Sequence, residues 1–473
     1  MNIKEIAKKI EENGGKLYLV GGAIRDQFLG KNSEDEDYCI TGLSSEKFKK
    51  LFSEAKVKGK AFEVFELEGK EFAIARKEVK VGEGHKEFAI HTSPDITIEQ
   101  DLARRDITIN SIAQDVLTEE IVDPFNGRED IKNKIIRATT SAFGEDPLRV
   151  YRVARFAAQL NFEVEEETLE QMHKLRDELK SLSKERVFEE LKKALNTDAP
   201  SIFFNTLKVA GVLEVHFKEI NDLVGVEQPV QYHPEGDAYN HTMLVLDMTA
   251  NLTKEYPKNR KLEIRFSALV HDLGKGTTPK ELYPHHYGHE ERGSELIDEM
   301  AKRVELPNNW IKCGKTACKE HMRGGIFYKM KPAKKVEFIE RVNKTLLGLD
   351  GLQIIVVSDK TSGGRKNNPE DINFEKIGNE CFEAINGKFI QEKYSVEKGA
   401  KVGRRLHEER VNWMKNCQEK HRYQIDKLSR KTPTPNWHQI DIDFLKKLQE
   451  KYWKKRGIMI KYRRKRMYRR KRM

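Results

Sequence analysis

A pair of glycines between a β-type run and a helical run is the feature that most constrains this chain. KLYLVGG (16–22) is a β-rich run that ends in Gly21 and Gly22, and AIRDQFLG then predicts a short helix that ends at Gly30. Glycine lets a backbone approach a bulky anion such as a triphosphate closely, with the N–H groups of the next helix facing it. Alone, this pattern is weak evidence for a triphosphate site, because a simple tight turn explains most such cases.

Two aspartates follow in a second β-type run, DEDYCIT (35–41). Asp35 and Asp37 are two residues apart, so a strand would project both side chains from one face. Paired carboxylates can hold Mg²⁺ ions, which stabilise the attacking and leaving oxygens of an in-line displacement. An isolated D-x-D pair is more often a solvated strand edge. The GG-x-x-R-D segment fourteen residues upstream favours the catalytic interpretation.

Length and composition limit the class of protein. At about 150 residues per domain, 473 residues predict about three domains. No run of about 18 apolar residues is present, so we expect no transmembrane helix and no membrane partner, and the N-terminus lacks the apolar centre of a signal peptide. Five scattered cysteines form no C-x-x-C pair. An odd, scattered set is typical of a reducing compartment, so we expect a cytoplasmic protein.

The net charge of +11 comes from the end of the chain. Residues 454–473 contain twelve Lys or Arg and no acid, and they repeat YRRKRM twice. The preceding part is therefore close to neutral. This tail is compatible both with RNA binding, through phosphate contacts and base stacking, and with a disordered extension.

Further segments follow in a recognisable order: LARRDITINSIA (102–113), DPFNGREDIKNKIIR (123–137) and GEDPLRVYRVARF (144–156). Together with LVGGAIRDQFLG and DED, they resemble the tRNA nucleotidyltransferases (CCA-adding enzymes) of the bacterial and eukaryotic class, within the DNA-polymerase-β-type nucleotidyltransferase superfamily. The resemblance covers about residues 16–365.

The resemblance implies a role for each matching residue. Asp35 and Asp37 would be catalytic and hold Mg²⁺, with Glu71 as a candidate third carboxylate. Asp106 and Asn110 are candidates for bracing the site, although a helix cap and a buried hydrogen bond would explain them equally well. Residues implied to bind nucleotide are Gly21, Gly22, Arg25, Arg105, Asp146, Arg149, Arg152 and Arg155.

The run from Asp146 to Arg155 places charged residues every third position, which forms a stripe along a helix. A salt-bridge ladder is the common meaning of such a stripe. The resemblance instead implies that Asp146 and Arg149 bind the Watson–Crick edge of CTP or ATP. The reaction would be attack of the tRNA 3′-hydroxyl on the α-phosphate, with release of pyrophosphate. The polar segment 77–95 is predicted to be a flexible loop that reshapes this pocket.

A second set of residues is rich in histidine. HDLGKG (271–276) lies between YHPEGDAYNHT (232–242) and the downstream runs HHYGHEERG (285–293), EHM (320–322) and VVSDKTSGGR (357–365). This order resembles the HD phosphohydrolase superfamily. The resemblance implies a divalent transition metal such as Ni²⁺ or Mn²⁺ on His241, His271, Asp272 and Asp359, with Lys275, His289 and His321 as candidates for phosphate or second-metal contacts.

An HD domain behind this type of nucleotidyltransferase resembles the multifunctional CCA enzymes. That family implies phosphatase, 2′-nucleotidase and 2′,3′-cyclic phosphodiesterase activities beside CCA addition. We expect an α+β fold: a polymerase-β-like head with a small mixed sheet, then a helical body. The predicted divisions are a head (1–140), a helical neck (141–225), an HD domain (226–365), a helical C-terminal region (366–450) and a disordered basic tail (451–473).

Several alternatives remain open at this stage. A bacterial poly(A) polymerase shares the N-terminal signature, although KGKAFEVFELEGKEFAIAR lacks the arginine-rich stretch associated with that group. An enzyme that adds only CC or only A, a catalytically inactive tRNA-binding protein and a protein whose main activity is phosphohydrolysis are further alternatives. The expected partners are the tRNA 3′ end, CTP and ATP, and either a monomer or a homodimer is compatible with the sequence.

Overall fold

The structure is a computed structural model that describes residues 1–32, 36–58, 63–80, 88–362, 373–394 and 400–428. Two compact units are present. The first comprises residues 1–325 and 342–363, and the second comprises residues 326–341 and 364–473.

The strands occur in the N-terminal part of the chain. They are β1 (Lys16–Val20), β2 (Asp37–Thr41), β3 (Lys56–Lys58), β4 (Val64–Leu67), β5 (Lys70–Ile74), β6 (Arg76–Lys80), β7 (Phe88–Thr92), β8 (Ala113–Asp115), β9 (Ile121–Val122), β10 (Ile135–Ile136) and β11 (Glu163–Val164). Seven form a mixed sheet in the order β3-β4-β5-β2-β1-β8-β9, while β6 pairs with β7 and β10 with β11.

Helices pack against this sheet and form most of the rest of the described residues. They are α1 (Ile3–Glu11), α2 (Gly22–Phe28), α3 (Ser45–Leu51), α4 (Ile98–Ala103), α5 (Gly127–Asn133), α6 (Leu148–Leu160), α7 (Glu166–Lys174), α8 (Lys184–Leu195), α9 (Ser201–Val209), α10 (Glu214–Asn221), α11 (Ala238–Leu252), α12 (Lys258–Val270), α13 (His289–Arg303), α14 (Asn308–Gly325), α15 (Pro332–Val342), α16 (Gly348–Thr361), α17 (Phe374–Ala384), α18 (Gly387–Tyr394) and α19 (Ala400–Leu428). The predicted α+β class is confirmed.

The central strands β1 and β2 alternate between two buried faces. Leu17 and Leu19 enter the main core, whereas Tyr18 and Val20 enter a smaller apolar cluster on the opposite face. Side chains alternate in this way because successive residues of a strand point to opposite sides. Burial on both faces fixes the register between the two strands, since a one-residue slip would exchange the faces.

Strands β4 and β5 form a hairpin. Its turn residues Glu68 and Gly69 both have positive φ, at 51° and 75°, as in the two-residue turns that match strand twist. The prediction for segment 77–95 was wrong in part. Strands β6 and β7 pair antiparallel within it, from Arg76↔Thr92 to Lys80↔Phe88, and residues 81–87 lie outside the described parts of the chain.

The helical part of the first unit is held by aromatic packing and capped helices. Helix α6 contributes the fully buried Tyr151, which contacts Phe203 and Phe217 edge-on or tilted. Helix α11 begins at Asp237, whose side chain accepts a hydrogen bond from the backbone N–H of Asn240 at 2.9 Å. A capped start of this kind fixes the first turn, which contains His241.

The second unit contains α15 and α17–α19. Phe327, Phe338 and Phe374 form its aromatic core, and Glu340 pairs with His407 and Arg410, both at 2.9 Å. The basic tail, predicted to be disordered, lies outside the described residues. Within the parts of the chain that the structure describes, no helix has the length and apolarity needed to cross a membrane.

Candidate functional sites

The glycine turn and Asp37 lie next to each other in the head. Val20, the last residue of β1, is the register partner of Asp37, the first residue of β2. Gly21 follows Val20 directly, with φ 73° and ψ −130°, a conformation that favours glycine. The antiparallel pairing therefore brings the start of α2 beside an exposed carboxylate.

Glu71 of β5 lies next to Asp37 on the opposite side of β2 from Val20. Strands β2 and β5 are parallel, and Asp37 pairs with Glu71 in register, so both side chains leave the same face of the sheet. Glu71 is half exposed and lies 3.7 Å from the Nζ of Lys58. A cavity of about 420 Å³ at this end of the sheet is lined by Glu71 and by Glu36. Asp35 lies outside the described residues.

Arg105 borders the glycine turn. A Cβ atom at Gly21 would lie 3.0 Å from Nη1 of Arg105. The Nη2 of Arg105 donates to Asp101 at 3.1 Å, and Asp101 also accepts hydrogen bonds from Arg104. Burial raises the pKa of Asp101, but the two arginines outweigh burial and hold the pKa below its usual range. Asp101 therefore stays ionised and anchors both guanidinium groups.

A buried chain of polar side chains connects α2 to α6. Arg25 donates to Asn110 at 2.8 Å, and Asn110 donates to Asp106 at 3.3 Å. Asp106 also accepts a hydrogen bond from Nε of Arg152 at 2.7 Å. Burial raises the pKa of Asp106, yet the charge of Arg152 outweighs it and the pKa is lowered. The predicted bracing pair and two predicted nucleotide-binding arginines thus form one network.

The predicted base-reading residues are close to the head but have protein partners. Arg149 is buried and donates to the carbonyl oxygens of Ala142 and Arg104, at 2.5 and 2.7 Å. Asp146 accepts from the backbone N–H of Leu148 at 3.0 Å and pairs with Arg186 at 2.7 Å. Asp146 therefore caps α6 rather than lying within it.

Arg155 lies apart from this network, on the side of α6 that faces α8. Its Nε donates to Glu190 at 2.5 Å, and both side chains are more than nine-tenths buried. The guanidinium also lies 3.9 Å from the ring of Phe156. Burial lowers the pKa of Arg155 more than Glu190 raises it. This geometry makes Arg155 a contact between two helices.

The histidine-rich residues converge on Asp272. Its Oδ1 lies 3.4 Å from Nε2 of both His289 and His321, and its Oδ2 lies 3.2 Å from Nε2 of His271. His241 lies 3.8 Å from Oδ2. Four helices and a 3₁₀ turn thus bring the predicted residues together around one buried carboxylate.

Asp359 and Lys275 complete the cluster. Asp359 lies 3.1 Å from Nε2 of His241, and Lys275 lies 2.6 Å from Oδ2 of Asp272. Burial raises the pKa of Asp272, but His271 and Lys275 lower it further, so the pKa falls well below its usual value. Asp359 is likewise held ionised, against its burial, by His241.

The ring orientations in this cluster suit a divalent cation. Nδ1 of His271, His289 and His321 lies 2.7–2.9 Å from the carbonyl oxygens of Ala268, His286 and Ala317, respectively. An Nδ1–H donated outward leaves the lone pair of Nε2 directed into the cluster, as in metal-binding histidines. Nε2 of His271 and Oδ1 of Asp272 are buried and make no hydrogen bond with the described residues. The donor set therefore fits a metal ion.

Comparison with known proteins identifies domain families in the segments that contain these two groups of residues. A family profile described as "Poly A polymerase head domain" matches residues 17–137, and one described as "Probable RNA and SrmB-binding site of polymerase A" matches residues 161–223. A profile described as "HD domain" matches residues 238–343. A multifunctional CCA protein of Haemophilus influenzae (strain PittGG) is 46% identical over 314 residues, which is 65% of this chain and 74% of the relative.

The chain belongs to the multifunctional CCA protein family.

Solved structures extend the similarity to the fold of this family. A CCA-adding enzyme with ATP has a TM-score of 0.61 at 19% identity, covering 88% of this chain and 90% of the other. A CCA-adding enzyme with CTP has a TM-score of 0.59 at 19% identity and covers 95% and 96%. The Thermotoga maritima CCA-adding enzyme complexed with tRNA gives 0.60 at 17% identity and covers 88% and 92%.

The sequence did not reveal the residues that hold the predicted site residues in place. Asp101 anchors Arg104 and Arg105, and Glu190 pairs with Arg155. In the cluster, Gln228 accepts from Lys275 at 2.7 Å, and Glu235 lies 2.7 Å from Nδ1 of His241. An acidic or amide residue in a helical sequence has many uses, and no spacing rule identifies such partners from other elements.

Proposed function

We propose that this chain adds C, C and A to the 3′ end of tRNA from CTP and ATP, with release of pyrophosphate. We further propose that the histidine–aspartate cluster hydrolyses phosphate esters, including 2′,3′-cyclic phosphates, 2′-nucleotides and simple phosphate monoesters. The two activities together would repair a tRNA end, since hydrolysis can clear a blocked terminus before nucleotides are added.

One observation chiefly supports nucleotide addition. Asp37 is flanked in register by Val20, which leads into the glycine turn, and by Glu71. This arrangement puts carboxylates beside a backbone turn that a triphosphate can approach. Membership of the multifunctional CCA protein family, at 46% identity, supports the same assignment.

We propose that Asp37 and Glu71, with Asp35, hold Mg²⁺ in the head. Oxygen ligands of this type suit Mg²⁺. When bound, such ions neutralise charge on the phosphates and lower the pKa of an attacking hydroxyl. The protein itself supplies the carboxylates on one face of β2 and β5, and this placement needs no rearrangement of the strands.

The proposed role of the arginines is to bind the nucleotide in a fixed orientation. Arg105 lies against Gly21 and is anchored by Asp101. Arg25 and Arg152 are held by Asn110 and Asp106. A planar guanidinium matches phosphate oxygens or a base edge, and anchoring reduces the freedom lost on binding. We propose that Asp146 and Arg149 select the base.

In the cluster we propose a divalent transition metal such as Ni²⁺ or Mn²⁺ on His241, His271, Asp272 and Asp359. Imidazole nitrogens suit such metals. The Nζ of Lys275 lies 2.6 Å from Oδ2 of Asp272, and we propose that it binds a phosphate oxygen of the substrate. His289 and His321 face Oδ1 of the same carboxylate and are proposed to contact the phosphate or a second metal.

The experiment that tests nucleotide addition is a product-length assay. Purified protein is incubated with tRNA that lacks its terminal three nucleotides and with CTP, ATP or both. The proposal predicts addition of two nucleotides from CTP alone and of three from the mixture. Addition of only CC from the mixture would identify a CC-adding enzyme. No addition to this tRNA, together with addition of A to a tRNA that already ends in CC, would identify an A-adding enzyme.

Poly(A) polymerase is a second candidate, supported by the description of the profile that matches residues 17–137. It predicts long A tracts from ATP on unrelated RNA. The same assay with an unstructured RNA therefore separates the two functions. The match to a multifunctional CCA protein over three quarters of that relative favours CCA addition.

The proposed domain divisions remain those of the sequence: a head to residue 140, a neck to 225, an HD domain to 365, a helical region to 450 and a basic tail. The proposed location is the cytoplasm, which agrees with an odd number of scattered cysteines.

A further inference from the structure

Glu235 lies between two histidines at the edge of the cluster. Its Oε1 is 2.7 Å from Nδ1 of His241 and 3.0 Å from Nδ1 of His233. The side chain of Glu235 is 2% exposed and that of His241 is fully buried. A carboxylate at this depth is stable only with hydrogen-bond donors, and two imidazole N–H groups supply them.

The partner of Nδ1 sets which nitrogen of a histidine binds metal. A ring that donates its Nδ1–H outward presents the lone pair of Nε2 inward, and a carboxylate acceptor also raises the basicity of that nitrogen. His271 and His321 use carbonyl oxygens three or four residues earlier in the chain as acceptors. His241 uses the carboxylate of Glu235 instead.

His241 lies in the first turn of its helix. It is the fourth residue of α11, and its backbone N–H donates to the carbonyl of Asp237 at 3.1 Å. The carboxylate that faces its Nδ1 comes from the turn before the helix. That turn is itself fixed, because Asp237 caps α11 and also accepts from the backbone N–H of Gly225 at 2.7 Å.

We propose that Glu235 is a positioning residue of the metal site, which orients His241 and strengthens its Nε2 as a ligand, while His233 holds the other side of the same carboxylate. The inference rests on the proposed metal-dependent function of the cluster. Glu235 touches neither the substrate nor the metal in this account, and it acts only through His241.

The test is a Ni²⁺ titration of the full-length protein by calorimetry, after removal of metals with a chelator and with Mg²⁺ present to saturate oxygen sites. The variants are Glu235→Ala, Glu235→Gln and, as a control on α11, the helix that carries His241, Asp247→Asn. Asp247 caps α9 by accepting from the backbone N–H and the hydroxyl of Ser201. His271→Ala measures any signal from outside the cluster.

We expect Glu235→Ala to weaken Ni²⁺ binding by about 10- to 100-fold, as for other partners of metal-binding histidines. Glu235→Gln, which keeps an oxygen acceptor but loses the charge, should fall between Glu235→Ala and the parent. Asp247→Asn should bind as the parent does. Thermal unfolding of the metal-free proteins and CCA addition should be unchanged in the Glu235→Gln variant.

Parental Ni²⁺ affinity in Glu235→Ala would overturn the inference. Should that variant fail to fold, parental affinity in the nearly isosteric Glu235→Gln would overturn it equally. The proposed hydrolysis is judged separately. A parent protein that binds Ni²⁺ with this order of affinities but hydrolyses no phosphate ester would contradict the hydrolase function and support the role of Glu235. A parent that binds no Ni²⁺ would contradict both.

Discussion

At the scale of single residues, the charged groups of the head are held in place before any nucleotide binds. Arg149 donates to two backbone carbonyls, Arg152 to Asp106 and Arg105 to Asp101. An isolated buried charge would be costly, whereas a charge with such partners is tolerated. The partners also restrict the rotamers of long side chains, which lowers the entropy lost when a ligand is bound.

The ion pair of Asp106 and Arg152 makes a prediction about pH. The folded pKa of Asp106 is depressed, so its contribution to stability is present above the unfolded pKa of about 3.9 and is lost as the pH falls through the folded pKa. Asp106→Asn should therefore lower the unfolding temperature at pH 7. The difference from the parent should shrink as the pH falls below about 4.

The measurement is thermal unfolding followed by circular dichroism at a series of pH values. Asp123→Asn is a suitable comparison, because Asp123 is a partly exposed acid that accepts hydrogen bonds from the N–H groups of Gly127 and Arg128. A difference between Asp106→Asn and the parent that grows toward acid pH would contradict the ionised state of Asp106.

The sequence predicted which side chains lie near the site better than it predicted which residues those side chains contact. Arg25, Asp106 and Asn110 were expected near the site, and the structure joins them in one network. Asp101 and Glu235 were not expected, because their roles depend on which distant side chain each one meets. Such pairings depend on tertiary packing, which a pattern along the chain does not contain.

At the scale of secondary structure, α6 is fixed from two sides. Arg149 and Arg152 connect it to the loop after α4, and Arg155 connects it to α8 through Glu190. The three-residue spacing predicted one charged stripe, but the structure directs its members to different elements. The spacing of charges identifies a helix face without identifying what each residue on it contacts.

Glu190→Gln tests the contact between α6 and α8. The substitution leaves Arg155 buried with an uncompensated charge, and breaking such a pair costs about 3–5 kcal/mol. We expect a lower midpoint of urea unfolding. Glu189→Gln is the matched control, since Glu189 is exposed and pairs with Lys192 at the surface, where an ion pair contributes little. Equal midpoints for the two variants would contradict a stabilising role for the buried pair.

Gly274 fixes the distance between the HDLGKG turn and α13. A Cβ atom at this position would lie 1.9 Å from the carbonyl oxygen of His289 and 2.7 Å from the N–H nitrogen of Gly293. Both neighbours are backbone atoms, so the elements themselves must separate. His289 faces Asp272 from the first turn of α13, and its displacement would distort the cluster.

Gly274→Ala should therefore lower phosphohydrolase activity by about 10²-fold, the usual cost of misplacing an active-site group by about 1 Å. CCA addition should be retained. Gly387→Ala is the control, because a Cβ atom there meets no neighbour within 4 Å. If Gly274→Ala hydrolysed a 2′,3′-cyclic nucleotide at the parental rate, the close approach of the HDLGKG turn to α13 would not be needed for hydrolysis.

At the scale of the whole molecule, the chain combines the head that carries the glycine turn and the helical histidine–aspartate cluster within its first compact unit. The sequence predicted the family and the α+β fold class, because ordered motifs specify the family and the family specifies the fold. It did not predict the second unit, built from segments 326–341 and 364–473. Helix α15 packs with α17 and α19, which come later in the chain. Such long-range contacts are not visible in a sequence pattern.

A pair of substitutions tests most directly whether the two sites act independently. Single-turnover CMP incorporation into tRNA lacking its 3′ end is measured for the parent, Asp37→Ala and His271→Ala, with hydrolysis of a 2′,3′-cyclic nucleotide measured in parallel. We expect Asp37→Ala to lower incorporation by about 10³-fold, equivalent to several kcal/mol of lost charge stabilisation, and to retain hydrolysis. His271→Ala should do the reverse. Incorporation at the parental rate by Asp37→Ala would contradict the assignment of the carboxylate beside the glycine turn.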